Sequence, residues 1–245
     1  MSILRPYKRI YRPQLNPALS RAEEYLSDSR FIDKVELESL LNACHLVIVD
    51  LYKVFEYIEP CDDNLATYSH RIFELFLRCA TEFETNCKGV LLANSYKVPA
   101  KDMNVKDFYK LEKVMKLSEY EIICDQWTSP HRFRPFEDWR KGFQLTWYQS
   151  YNQVKHNRSS SFALANFGNL MMSICGLVVV LAAQFDQGIS KVASNWLSLT
   201  LNNMPNSFTV LPFTVIRPTF EENDKYSFDW EVLSKEVDPF DPYSF

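Results

Sequence analysis

The chain has 245 residues, 47% hydrophobic and 15% aromatic, enough apolar material to bury one substantial core and to exclude a disordered tail. Five glycines against twelve prolines leave few of the flexible turns that a many-stranded sandwich or barrel needs, so the composition favours helices. The formal net charge of −4 hides an asymmetry: Arg5, Lys8, Arg9 and Arg12 make the start basic, whereas residues 221–241 carry eight acids against Lys225 and Lys235.

The two ends can therefore attract each other. The basic arm, with Tyr7 and Tyr11 interleaved, also has the make-up of a nucleic-acid contact, since cations neutralise phosphates and aromatic faces stack on bases. Residues 20–33 read as a short irregular or helical lead. Asp33 opens an apolar helical pattern that stops before Pro60, where the missing N–H and the fixed φ of proline end a helix.

A second long helix is expected from Asn64 to about Asn94, with Ile72, Phe76, Cys79, Phe83, Cys87, Val90 and Leu91 recurring on one face. Glu74, Arg78 and Glu82 lie opposite, four apart. They read either as a solvent-facing ladder of ion pairs or as a placement of Arg78 toward a polar site shared with another helix. Residues 97–118 hold a further helix, and the alternation in "EYEIICDQW" suggests a short strand. The loop "TSPHRFRPFEDW" holds His131 between two prolines, beside Arg132 and Arg134, as an exposed residue or a phosphate contact.

A helix over about 136–157 ends in "YNQVKHNR" (residues 151–158), and an uncharged helix follows over about 160–185. That second segment is long enough to span a bilayer. Asn166, Asn169, Ser173 and Gly176, however, recur at three- and four-residue steps as a polar-to-small stripe suited to packing against neighbouring helices, so a buried central helix is preferred to a membrane span. Beyond Gly188 a short helix near 189–199 is expected. "SFTVLPFTVIRPTF" and "KYSFDWEV", separated by "EENDK", then read as an antiparallel hairpin.

The expected architecture is thus mainly α: a multi-helix bundle with a long buried central helix and a small C-terminal β-hairpin. It forms a single domain over 1–245, with an arm and lead at 1–32, a bundle core at 33–186, and a short helix, hairpin and acidic, aromatic tail at 187–245. The six cysteines form no CxxC pair or ligand-spaced cluster and read as small core hydrophobes in a reducing cytoplasm. An interrupted, basic N-terminus carries no signal-peptide core. Phosphate-loop, zinc-helix, nucleophile-elbow and DNA-binding motifs are missing, and no metal or cofactor is expected.

The octapeptide is the richest candidate for chemistry. Tyr148, Asn152 and His156 stand at i, i+4 and i+8 on one helical stripe, with Tyr151 and Lys155 on the next. Histidine serves as acid or base near neutral pH, an amide orients a hydroxyl or phosphate oxygen, and Lys155 with Arg158 can stabilise developing negative charge. Those parts suit metal-independent cleavage of RNA, in which the ribose hydroxyl attacks its own phosphate. Equally, Lys155 and Arg158 suit the last turn of a helix, where cations complement the dipole, and Asn152 and His156 can bond to the next helix.

"YNQVKHNR" before an uncharged helix, together with the earlier "FELFLRCATEFE", resembles the HEPN group of all-α domains, found in prokaryotic toxins, RNA-cleaving defence effectors and nucleotide-binding modules. The resemblance covers about residues 64–186. It implies a homodimer in which two motifs meet to form a ribonuclease site, with His156 as acid/base, Asn152 orienting it, and Lys155 and Arg158 on phosphate. Tyr151, Tyr148 and Arg78 would line the site. The family's arginine position falls on Tyr151, so Lys155, Arg158 or Arg78 has to supply its charge. Three functions follow as expectations: an RNA-cleaving effector, a non-catalytic module of the same fold that binds a nucleotide, RNA or a protein, and a membrane-associated protein using residues 161–185.

Overall fold

The computed structural model describes residues 3–19, 21–129, 131–142, 144–186, 199–200, 207–210 and 212–245. Its helices are α1 (Ala22–Leu26), α2 (Lys34–Phe55), α3 (His70–Ala93), α4 (Val105–Phe108), α5 (Lys110–Met115), α6 (Glu137–Arg140), α7 (Thr146–His156), α8 (Arg158–Ser161), α9 (Phe167–Phe185) and α10 (Trp230–Leu233). The strands are β1 (Glu121–Cys124), β2 (Arg132–Phe133), β3 (Leu199–Thr200), β4 (Ser207–Val210) and β5 (Phe213–Ile216). The fold is mainly α, as its composition predicts.

Three long helices make the bundle. Asp33 caps α2 by accepting from the N–H groups of Val35 and Glu36, and Ser69 caps α3 by accepting from Ile72. The caps set the start of α3 six residues later than periodicity alone suggests. Helix α9 is the central one: it is long and apolar enough to cross a membrane, but 83% of its most apolar stretch is buried within the protein. Its main partner is α3, with α7 and α2 on its flanks.

The uncharged segment is not one helix from residue 160. Asn166 interrupts it, accepting from the N–H of Asn169 as the cap of α9. The small stripe packs as expected. Ser173 is fully buried and donates to the carbonyl of Leu170, and a Cβ on Gly176 would stand 3.2 Å from the Trp147 ring. Glycine there lets α7 approach α9 closely.

The described strands form one antiparallel sheet in the order β2-β1-β5-β4-β3. Ile122 pairs with Phe133 on one side and Val215 on the other. The hairpin is real but displaced: both arms, β4 and β5, lie within "SFTVLPFTVI", and Val210 pairs with Phe213 across the turn. "KYSFDWEV" is instead extended chain leading into α10, with Tyr226 bridged to Ile3 and Gln14 of the N-terminal arm. The helix expected near 189–199 falls almost wholly outside the described residues, and Leu199 itself is in β3.

The basic arm and acidic tail attract each other in the folded chain. Arg5 pairs with Glu236, Lys8 with Asp238 at 2.9 Å and Arg12 with Asp224 at 3.4 Å. The Tyr226 hydroxyl donates to the carbonyl of Ile10, and Tyr7 stands edge-on to Tyr226 and Tyr243. Arg9 and Arg12 are buried. Two of the arm's cations thus belong to the core, and Arg5 and Lys8 are paired with the acidic tail.

Candidate functional site

The helix expected over 136–157 is two helices. Asp138, in α6, accepts from both the N–H and the hydroxyl of Thr146, at 3.0 and 2.9 Å, and so fixes the start of α7. Trp147, Tyr148, Tyr151 and Val154 form the buried face of α7 against α3 and α9. After His156 the backbone leaves the helix at Asn157 (φ −142°, ψ 58°), and Arg158 opens α8. Lys155 therefore stands in the last turn of α7 as expected, whereas Arg158 belongs to another element.

The predicted stripe runs from core to solvent. Tyr148 is buried, and its hydroxyl donates to Glu84 of α3 at 2.8 Å; burial and then the Glu84 carboxylate hold that phenol far above the ordinary tyrosine value. Asn152 is half-buried, and His156 is exposed at the helix end with no hydrogen bond to another described residue. A free imidazole in water has no partner to set its tautomer or aim it.

Tyr151, which stands where the HEPN resemblance calls for arginine, is fully engaged. Its ring is buried against Phe76, its hydroxyl accepts from Lys155 at 3.0 Å, and the Lys155 ammonium lies 5.0 Å from the ring centroid. The hydrogen bond to Tyr151 holds Lys155 above the usual lysine value, so it stays charged near neutral pH. The six residues of α7 and α8 proposed for the site are consequently spread over a buried phenol pair, a helix end and a separate short helix.

Arg158 gathers a group of its own. Its Nη2 donates to Nδ1 of His70 at 3.1 Å, and its guanidinium lies 5.1 Å from the ring of Phe73 and 5.5 Å from that of Phe162. Arginine can only donate, so Nδ1 must accept, which leaves the ring proton of His70 on Nε2. The half-exposed Tyr68 stands edge-on to Phe162. Nothing in the sequence joins His70 to Arg158, since 88 residues separate them.

Residues 139–185 contain no acid. The end of α7, α8 and the start of α3 carry Lys155, His156, Arg158 and His70, with Phe162 beside Arg158, His70 and Tyr68, and with Glu74 one turn after His70. The sequence matches no family model, and no curated protein or solved structure resembles it. The likeness to the HEPN group thus rests on the octapeptide and the order of helices alone.

Arg78 lies elsewhere. Its Nη2 reaches α2, donating to Asp50 at 2.5 Å and to the carbonyl of Leu46 at 3.2 Å, whereas Glu74 pairs with Arg71. The expected ladder is therefore broken, and Arg78 instead lines a cleft between α2 and α3. His131 bonds through Nδ1 to Asp62 at 3.0 Å, Trp127 donates to the same carboxylate oxygen at 2.9 Å, and Arg132 and Arg134 both pair with Glu121. That loop is held by its own neighbours. Among the described residues no cluster of His, Cys, Asp and Glu could hold a metal ion.

Proposed function

We propose that the protein is a non-catalytic helical module that binds RNA or a nucleotide through the face of α7, α8 and the start of α3. The observation that carries this reading is Arg158, oriented by His70 and stacked on Phe73 and Phe162, at a surface to which α7, α8 and the segment before α9 contribute no acid. A planar guanidinium held in this way is ready to meet phosphate oxygens with two donors, and neighbouring aromatic faces suit unpaired bases. Lys155 supplies a second cation from α7.

Cleavage is the weaker reading. Tyr151 brings no charge to the position where the related enzymes have arginine, and its hydroxyl is occupied by Lys155. His156 lacks the orienting partner that general acid–base work needs. The test is fluorescence anisotropy with a labelled single-stranded oligoribonucleotide, run beside a gel that follows its length. The reading expects saturable binding that is weakened in Arg158→Ala, and an RNA of unchanged length. Equal binding by both proteins, or RNA shortened by the native protein but not by His156→Ala, would overturn it.

A further inference from the structure

The cleft that Arg78 lines lies between the end of α2 and the start of α3 and measures about 720 Å³. Its floor is apolar, made by the buried Val54 and Leu75. Its rim carries three acids, Asp50, Glu56 and Glu74, and three bases, Lys53, Arg71 and Arg78. Asp50 holds both Lys53 and Arg78, and Arg71 holds Glu74. A rim of zero net charge offers little to a polyanion, so this surface differs in kind from the Arg158 face.

Asp50 and Lys53 of α2 and, just beyond its end, Tyr57 line the cleft at steps of three and four, with Leu46 one turn before Asp50 and outside the lining. Leu46 is 48% exposed and Tyr57 85% exposed. A large aromatic side chain almost fully in water, beside a cleft with an apolar floor, is the pairing of anchor and pocket that interfaces use.

We infer that this cleft is a two-fold interface with a second copy of the chain, in which Tyr57 of each copy enters the cleft of the other. The charge pattern selects that occupant. A two-fold axis sets a patch against itself, so a patch of one sign repels its copy, whereas equal numbers of both signs around an apolar floor complement themselves. Knob and hole lie side by side on one surface, as mutual insertion requires. The inference is independent of the nucleotide reading, since it uses neither Arg158 nor α7.

Sedimentation velocity of the full chain across a concentration series tests it, with three variants at exposed positions. Tyr57→Ala should weaken dimerisation about tenfold or more, the effect expected for truncating a central aromatic anchor. Glu56→Arg makes the rim basic and Arg71→Glu makes it acidic, so each alone should be monomeric where the native chain is dimeric. A mixture of the two should dimerise again, because opposite rims now face each other. A native chain that stays monomeric throughout, or a dimer that all three variants leave intact, overturns the inference. So does a mixture that remains monomeric while each variant retains the native circular dichroism spectrum.

Discussion

Arg9 and Gln184 stand 175 positions apart in sequence and meet in the core, where Nε and Nη2 of Arg9 both donate to Oε1 of Gln184, at 3.0 and 2.8 Å. Gln184 in turn donates to Asn86 of α3, and Arg9 reaches out to Glu36 of α2 at 2.5 Å. One arginine from the arm therefore ties together α2, α3 and α9. Burial lowers its pKa and the Glu36 carboxylate opposes that shift, as expected for a charge taken out of water but kept paired.

Gly89 exists for that guanidinium. A Cβ at position 89 of α3 would fall on Nη1 and Cζ of Arg9. Gly89→Ala should therefore destabilise the native chain by about 2 kcal/mol, the scale of overpacking in a closed core. In an Arg9→Ala background the clash is gone, and the same change should stabilise by about 0.5–1 kcal/mol through helix propensity. Urea unfolding of the four members of the cycle checks this. The same sign in both backgrounds would refute the contact.

At the Arg158 face, single-stranded RNA binding should weaken with salt at about 0.7 log units of affinity per log unit of salt for each phosphate neutralised, or about 1.4 for contacts at Arg158 and Lys155. Arg158→Lys keeps the charge but loses the planar stack, so it should retain the slope and lose affinity. Lys155→Met should keep the stack and halve the slope. Anisotropy titrations at several salt concentrations separate the two effects, and a slope that neither variant changes would place the phosphates elsewhere.

Helix order, the buried nature of α9 and the cap Asp33 depend on local chemistry and period, and these were legible in the sequence, whereas Asn166, read as part of the packing stripe, is the cap that starts α9. The breaks were less so. The end of α7 at Asn157 and its start at Thr146 are set by a backbone turn and by the Asp138 carboxylate, neither of which changes the hydrophobic period. The site was least legible of all. Spacing put Tyr148, Asn152 and His156 on one stripe correctly, but burial along that stripe depends on where α7 leaves the bundle, and that is a tertiary property. The partners that give Arg158 and Arg78 their roles, His70 and Asp50, come from other helices.

Acid should loosen the molecule through its paired carboxylates. The Lys116 ammonium holds Asp224 below the usual carboxylate value, as Lys53 and Arg78 do for Asp50 and Arg30 for Asp28. A carboxyl whose pKa is lower folded than unfolded contributes stability that is complete above the unfolded value, about 3.9, and is lost as pH falls through the folded one. Melting temperature should thus drop below about pH 4, and Asp224→Asn should flatten that drop. Burial raises Glu112, which acts in the opposite direction by favouring the folded state below its folded value. Thermal melts from pH 2 to pH 7 read the balance, and an unchanged acid limb in Asp224→Asn would exclude the pairs of Asp224 with Lys116 and Arg12 as contributors.

The thiols give a sharper test of the packing. Cys44, Cys79, Cys87, Cys124 and Cys175 are buried, whereas Cys61, in the turn between α2 and α3, is half-exposed. Burial pushes the Cys44 thiol up to about 12 and that of Cys124 up to about 11, and it raises the other three buried thiols as well. Because the thiolate is the nucleophile, these five should be inert twice over, through poor access and through scarcity of the reactive form. Ellman's reagent at pH 8 should modify one thiol of the native protein rapidly and all six once it is unfolded in guanidinium. Cys61→Ser should abolish the fast phase, and the slow phase that remains should track global unfolding. A second fast thiol in the native chain would mean that the element carrying it, α2, α3, β1 or α9, opens on its own.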